Sequence, residues 1–214
     1  MSSLVLYSYW RSSSSYRVRF ALAAKGLAFE TRTVNLLKGE QGQAEHVHRA
    51  PSGHVPCLEI DGRPMIESVA IIELLEDLFP EPALYPKDPW EKARVRSVVE
   101  LVNAGIQPLQ NMKVLARMND AEMKKQWGAH FNALGLQALE QLLEIYSKEK
   151  RPGKHAFGDT LTAADIFIVP QVYSAKRFDV DLAPFPRVVA AATAAMETEA
   201  AKSAHPDNQP DAVK

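Results

Sequence analysis

Paired cysteines are missing from this sequence. Cys57 stands alone among 214 residues, so no disulfide can close within the chain. A free thiol fits a reducing compartment, and a cytoplasmic setting is the expectation. No apolar run is long enough to span a bilayer. The start, Met1-Ser2-Ser3-Leu4-Val5-Leu6-Tyr7, lacks the basic, apolar and small-residue order of a signal peptide and reads as a first strand. Charge of one sign is missing too. The 25 Lys and Arg against 26 Asp and Glu leave a formal net charge of -1, which speaks against nucleic acid or a membrane surface as partner. Neither a Gly-rich phosphate loop nor a Ser-His-Asp arrangement stands out. His46 and His48 have no third ligand in view, so no metal is expected and both read as solvated loop residues. Cys57, after Val55-Pro56 and before Leu58-Glu59-Ile60, reads as a buried structural thiol.

What is present starts with a run of hydroxyls. Ser12-Ser13-Ser14-Ser15 follows Arg11 and leads into Tyr16-Arg17-Val18-Arg19, where an amphipathic helical pattern begins. A helix start collects unpaired N–H groups and the positive end of the dipole. Hydroxyls there make a site for an anion: a phosphate, a carboxylate or a thiolate. The bland alternative is a serine N-cap and a polar turn.

The order of elements follows from periodicity. Leu4 to Tyr7 is a strand, and Ser15 to Ala24 is a helix with Val18, Ala21 and Leu22 on one face and the basic residues mostly elsewhere. Gly26 suits a left-handed C-cap. Phe29 to Val34 alternates as a second strand, and Asn35 to Pro51 reads as a loop with an irregular helix. Asp61-Gly62 between two β-like runs predicts a hairpin. Glu67-Ser68 then opens a helix that ends near Pro80. A βαβ unit followed by a hairpin gives a mixed sheet with helices packed on it. Four prolines between Pro80 and Pro89 read as an extended linker. Beyond it the chain is helical: Trp90 to Leu101, a kink over residues 103–108, and Ala121 to Tyr146 with Phe131, Leu134, Ala138 and Leu142 along one side. Thr162 and Asp165 match a capping box before an apolar helix. The tail from His205 to Asp211 is polar and expected to be loosely held. Two domains are therefore expected, residues 1–82 and 88–214.

This layout resembles the cytosolic glutathione transferases: an α/β thioredoxin-like N-terminal domain with a mixed four-stranded sheet, then an all-α C-terminal domain. Within them, Tyr9 to Arg19 is similar to the serine–cysteine motif of the zeta class, the maleylacetoacetate and maleylpyruvate isomerases. Gly105-Ile106-Gln107-Pro108-Leu109-Gln110-Asn111, Val169-Pro170-Gln171-Val172 with Arg177-Phe178, and Gln209-Pro210-Asp211 also resemble that class. The chain departs from the pattern at Ser14, where many members carry cysteine.

The resemblance implies glutathione as cofactor and a cis–trans isomerisation of a maleyl keto acid, by reversible addition of the thiolate to the double bond. Such a site must lower the thiol pKa, hold two carboxylates and stabilise an enolate. It implies Ser13 and Ser14 as catalytic residues at the sulfur, with Arg11 and Arg177 for the carboxylates, because planar guanidinium groups suit them. It implies glutathione contacts at Ser12, Ser13, Ser14, Ser15, Tyr16, Arg17, Gln41, Val55, Glu67, Ser68, Gln107 and Asn111, with Val55-Pro56 as a cis-proline turn. A homodimer is expected as well. The alternatives are a glutathione transferase or dehalogenase acting on small electrophiles, and a non-catalytic glutathione-binding protein.

Overall fold

The computed structural model describes residues 2–149 and 153–213. The chain forms two compact units, Met1–Ala83 with Glu199–Lys214, and Leu84–Thr198.

In the first unit, β1 (Leu4–Ser8), α1 (Ser13–Ala24) and β2 (Glu30–Thr33) form a βαβ unit. The strands run parallel, with Val5 opposite Glu30. After two 3-10 turns come α2 (Ala44–Arg49), β3 (Cys57–Ile60), β4 (Arg63–Ile66) and α3 (Ser68–Leu78). The sheet order is β2-β1-β3-β4, with β3 antiparallel to both neighbours. The hairpin turn is Asp61 and Gly62, with φ of 50° and 77°. Two positive φ values give the twist that matches the flanking strands. Strand alternation puts Val5 and Tyr7 on one face of the sheet, in a cluster with Val34, Ala50, Val55 and Cys57. The sheet is thus mixed and four-stranded, as expected.

Helix α1 departs from the sequence reading in two ways. It starts at Ser13 with Ser12 as its cap, so the serines form its first turn. It also has no polar face. Arg17, Arg19 and Lys25 are buried, at 1%, 1% and 6% exposure. Each cation donates to groups of other segments. Lys25 donates to the carbonyls of Phe79 and Pro82 at 2.7 and 3.0 Å and pairs with Glu76 at 2.7 Å. Charge placement on a helical wheel does not show such partners, because they come from segments far along the chain.

The second unit begins with Leu84 and Tyr85, both buried, within the stretch expected as an extended linker. The Leu84 carbonyl accepts from the Ala163 amide at 2.9 Å. Asp88 caps α4 (Pro89–Glu100). A π-helical turn over Leu101–Ile106 and a 3-10 turn over Gln107–Gln110 occupy the expected kink. Then follow α5 (Met112–Leu115), α6 (Ala121–Glu149), α7 (Ala163–Arg177) and α8 (Pro186–Met196). Helix α6 buries another face than its apolar spacing predicts. Leu134 is 58% exposed, and the buried face carries Gly128, Asn132, Gly135, Leu136, Leu139, Glu140 and Leu143. Two polar residues and two glycines on that face hide it from a hydrophobicity count. The Glu140 carboxylate accepts from the Arg187 and Val188 amides at 2.9–3.1 Å, at the start of α8. Helix α7 is apolar and buried along most of its length, and the Thr162–Asp165 capping box forms.

The chain ends with α9 (Glu199–Ala204) and a 3-10 turn. This tail is held, contrary to expectation, and it belongs to the first unit. Arg19 Nε donates to the Ala204 carbonyl at 3.1 Å. The Trp10 amide donates to Asp211 at 3.0 Å. No helix among the described residues is long and apolar enough to cross a membrane.

Candidate active site

The serine run lies where β1 hands over to α1. Ser12 accepts from the Ser15 amide at 3.2 Å, and its carbonyl accepts from Tyr16 at 2.9 Å. That leaves the Ser13 and Ser14 amides at the open end of a three-turn helix, without acceptors inside it. Ser13 and Ser14 are half-buried, and Ser15 is fully buried. The Ser15 hydroxyl oxygen has no partner among the described residues. Open amides and hydroxyls at the positive end of a dipole favour an anion.

The backbone leading into this turn is fixed from behind by Arg19. Its guanidinium donates to Ser8 Oγ at 3.0 Å and to the carbonyls of Tyr9 and Trp10 at 3.4 and 2.9 Å. Asp211 holds the Trp10 amide from the tail. Neither Asp211 nor Arg19 stood among the expected site residues; both hold the backbone that leads into the serine turn. The signal available for Asp211 was its place in the Gln209-Pro210-Asp211 motif.

Two further elements of the first unit carry expected residues. The Val55–Pro56 peptide is cis, and Val55 packs in one cluster with Tyr9 and Trp10. Glu67 caps α3 with φ 67°, an unusual conformation for a residue with a side chain. Ser68 is buried at the first position of α3. Arg17 Nη1 donates to Ser68 Oγ at 3.2 Å, tying α1 to the start of α3. Arg17 is thereby buried behind Ser68 and does not flank an open surface. Tyr16 is equally enclosed, its ring packed against Phe20 and His205. Gln41 lies on the Glu40–Gly42 turn, and its Oε1 is buried without a partner among the described residues. The Arg11 guanidinium lies 5.3 Å from the Trp10 ring centroid.

The other candidates are in the second unit. Gln107 opens the 3-10 turn and is half-buried. Asn111 caps α5 by accepting from the Lys113 amide at 3.0 Å, which gives its side chain a structural partner. Arg177 is exposed at the last position of α7.

Two remaining expectations concern side chains outside the site. Cys57 is buried, and burial pushes its thiol up to about 11, with Glu59 adding to the rise. His46 is buried, with Nε2 2.9 Å from the His54 carbonyl, whereas His48 is exposed. Both lie on α2 and not in a loop, and of the two only His48 is open to solvent.

A helix-start serine turn, a cis-proline turn and the α3 start on a mixed sheet define a thioredoxin-like class, and residues 2–77 match the glutathione S-transferase N-terminal domain. A maleylacetoacetate isomerase from Pseudomonas aeruginosa is 44% identical over 213 residues, spanning 96% of this chain and 97% of that protein. A bacterial zeta-class maleyl pyruvate isomerase superposes with a TM-score of 0.94 at 37% identity, covering 98% of this chain and 100% of the other. A maleylacetoacetate isomerase of Anaeromyxobacter dehalogenans 2CP-1, solved with glutathione bound in its active site, gives a TM-score of 0.88 at 46% identity, with 99% of both chains covered. The chain belongs to the maleylacetoacetate isomerase family, the zeta class of glutathione transferases.

Proposed function

We propose that this chain catalyses the glutathione-dependent cis–trans isomerisation of maleylacetoacetate or a related maleyl keto acid such as maleylpyruvate. One observation carries the proposal. The α1 start offers amides and hydroxyls suited to a thiolate, while the only thiol of the chain is buried and protonated. The reacting sulfur is therefore supplied by a bound thiol.

The residues present fit glutathione. Ser15 Oγ and Gln41 Oε1 are buried polar atoms without protein partners among the described residues. Ser68 and the following amides at the α3 start suit the γ-glutamyl carboxylate, and the exposed Glu67 suits the adjacent ammonium. The Val55 backbone suits the peptide-like middle of the tripeptide. Gln107 is proposed as a further contact, and Asn111 keeps a weaker claim because it caps α5.

When bound, glutathione supplies a nucleophilic sulfur that adds to and leaves the double bond. Ser13 and Ser14 donate to that sulfur and, with the helix dipole, keep it deprotonated. Arg19, Asp211 and Ser12 hold the serine backbone in place. Arg17 keeps Ser68 oriented, and Tyr16 packs behind the turn. Arg11 and Arg177 take the two carboxylates of the acid. The assembly proposed is a homodimer, and a cytoplasmic setting agrees with the free thiol.

The test follows both acids spectroscopically with and without glutathione. Isomerisation only with glutathione is expected. Arg11→Ala and Arg177→Ala should each raise the KM of the acid by about tenfold to a hundredfold, the worth of a charged hydrogen bond, with glutathione affinity intact. Accumulation of a stable glutathione conjugate would point instead to a transferase. No turnover of either acid would refute the proposal.

A further inference from the structure

Inside the second unit, four polar side chains from three segments form one buried relay. Gln171 Nε2 donates to Asn132 Oδ1 at 2.6 Å. Asn132 Nδ2 donates to Gln110 Oε1 at 2.6 Å and to the Gly128 carbonyl at 2.7 Å. Ser174 Oγ donates to the same Gln110 oxygen at 2.8 Å. All four residues are at most 9% exposed. Two more contacts fix the same stretch of chain: Trp127 Nε1 donates to the Leu109 carbonyl at 2.8 Å, and Ile106 fills the space beside Gly135, where a Cβ would overlap it.

The relay is an imperfect way to stabilise a core. Two of its atoms, Gln110 Nε2 and Gln171 Oε1, are buried without a partner among the described residues. A partly satisfied buried network is worse for stability than apolar packing of the same volume. What it does supply is position. Gln110 closes the 3-10 turn that Gln107 opens, and Ser174 lies one turn before Arg177 on α7. The turn follows a π-helical turn and is only four residues long, so its own backbone ladder holds it weakly.

We propose that the Gln110–Asn132–Gln171–Ser174 relay is a positioning device that fixes Gln107 relative to the α7 terminus carrying Arg177. This rests on the reading of Gln107 as a glutathione contact. None of the four is a catalytic residue; they act through the backbone of residues 107–110.

The experiment compares the apolar variant Gln110→Leu/Asn132→Leu/Gln171→Leu/Ser174→Ala with Gln107→Ala. Ser174→Ala and Ser174→Thr form a milder pair in case the fourfold variant fails to fold. The expected result is a glutathione KM raised about fivefold in the apolar variant and in Gln107→Ala, the worth of one hydrogen bond. The KM of the acid and kcat should stay within about twofold, and the melting temperature of the apolar variant should be unchanged or higher. Ser174→Ala should show the same direction of change, and Ser174→Thr should restore it. If Gln107→Ala raises the glutathione KM while the apolar variant and Ser174→Ala leave it unchanged, the positioning role is wrong and the Gln107 reading stands. If Gln107→Ala leaves the glutathione KM unchanged, the Gln107 reading fails and takes the positioning role with it.

Discussion

The two units bury polar groups of opposite kind. The first encloses cations on α1: Arg17, Arg19 and Lys25. Their partners are largely hydroxyls and backbone carbonyls at the ends of strands and helices. The second encloses carboxylates and amides. Glu140 satisfies amides at the start of α8, and Asp165 accepts from Ala156 and Thr162 at 2.9 Å. The difference follows from what each unit must satisfy. Carbonyls left over at segment ends need donors, and helix starts need acceptors. In the first unit Arg19 holds the backbone leading into the serine turn, while Lys25 serves carbonyls at the opposite end of α1. In the second the acids satisfy helix starts, Asp165 its own and Glu140 that of α8, and neutral amides are left to set position.

This contrast can be broken by substitution. The largest effect is expected from Arg19→Ala, which strands the Ala204 and Trp10 carbonyls and frees the serine turn. A stability loss of about 3–4 kcal/mol in denaturant titration is expected, together with a fall in kcat/KM. Arg19→Lys should recover only part of it, because an ammonium cannot reproduce the planar fork. Glu140→Ala comes next, at about 2–3 kcal/mol from the lost acceptor at the α8 start, with little change in the glutathione KM. If Glu140→Ala impairs glutathione binding as much as Arg19→Ala, the division of roles between the units is wrong.

The smallest effect sharpens the contrast with a buried group kept neutral. The Cys57 thiol is raised by burial to about 11, above its unfolded value of about 8.5. A raised acid gives stability that is complete below the unfolded pKa and is lost as pH climbs toward the folded one. Melting curves of the parent protein should therefore drop more steeply between about pH 9 and 11 than those of Cys57→Ala. Equal slopes would mean that Cys57 ionises freely in the fold.

Much of the molecule was legible along the chain because its signals are local. The Asp61-Gly62 hairpin, the Thr162–Asp165 capping box, the βαβ unit and the kink near Pro108 each need only a few neighbouring residues. The serine run pointed to the α1 start for the same reason, as one turn of helix contains all its parts. The errors share the opposite property. Arg17 and Arg19 read as polar-face residues on α1, the apolar side of α6 was drawn through Leu134, and the tail read as loose. Each depends on residues distant in sequence: Ser68 for Arg17, Ala204 for Arg19, Gln171 for Asn132 on the buried face of α6, and Trp10 for the tail.

By itself the sequence determined the class of chain, the place of the serine turn at the start of α1 and the absence of a second cysteine, since these reside in residue identity and short spacing. Only the tertiary structure decided which charges are buried, which face of α6 is core, and that Asp211 returns to brace the turn before Ser12. The physical reason is that burying a charge or an amide is tolerated only where partners converge on it, and convergence belongs to the folded chain.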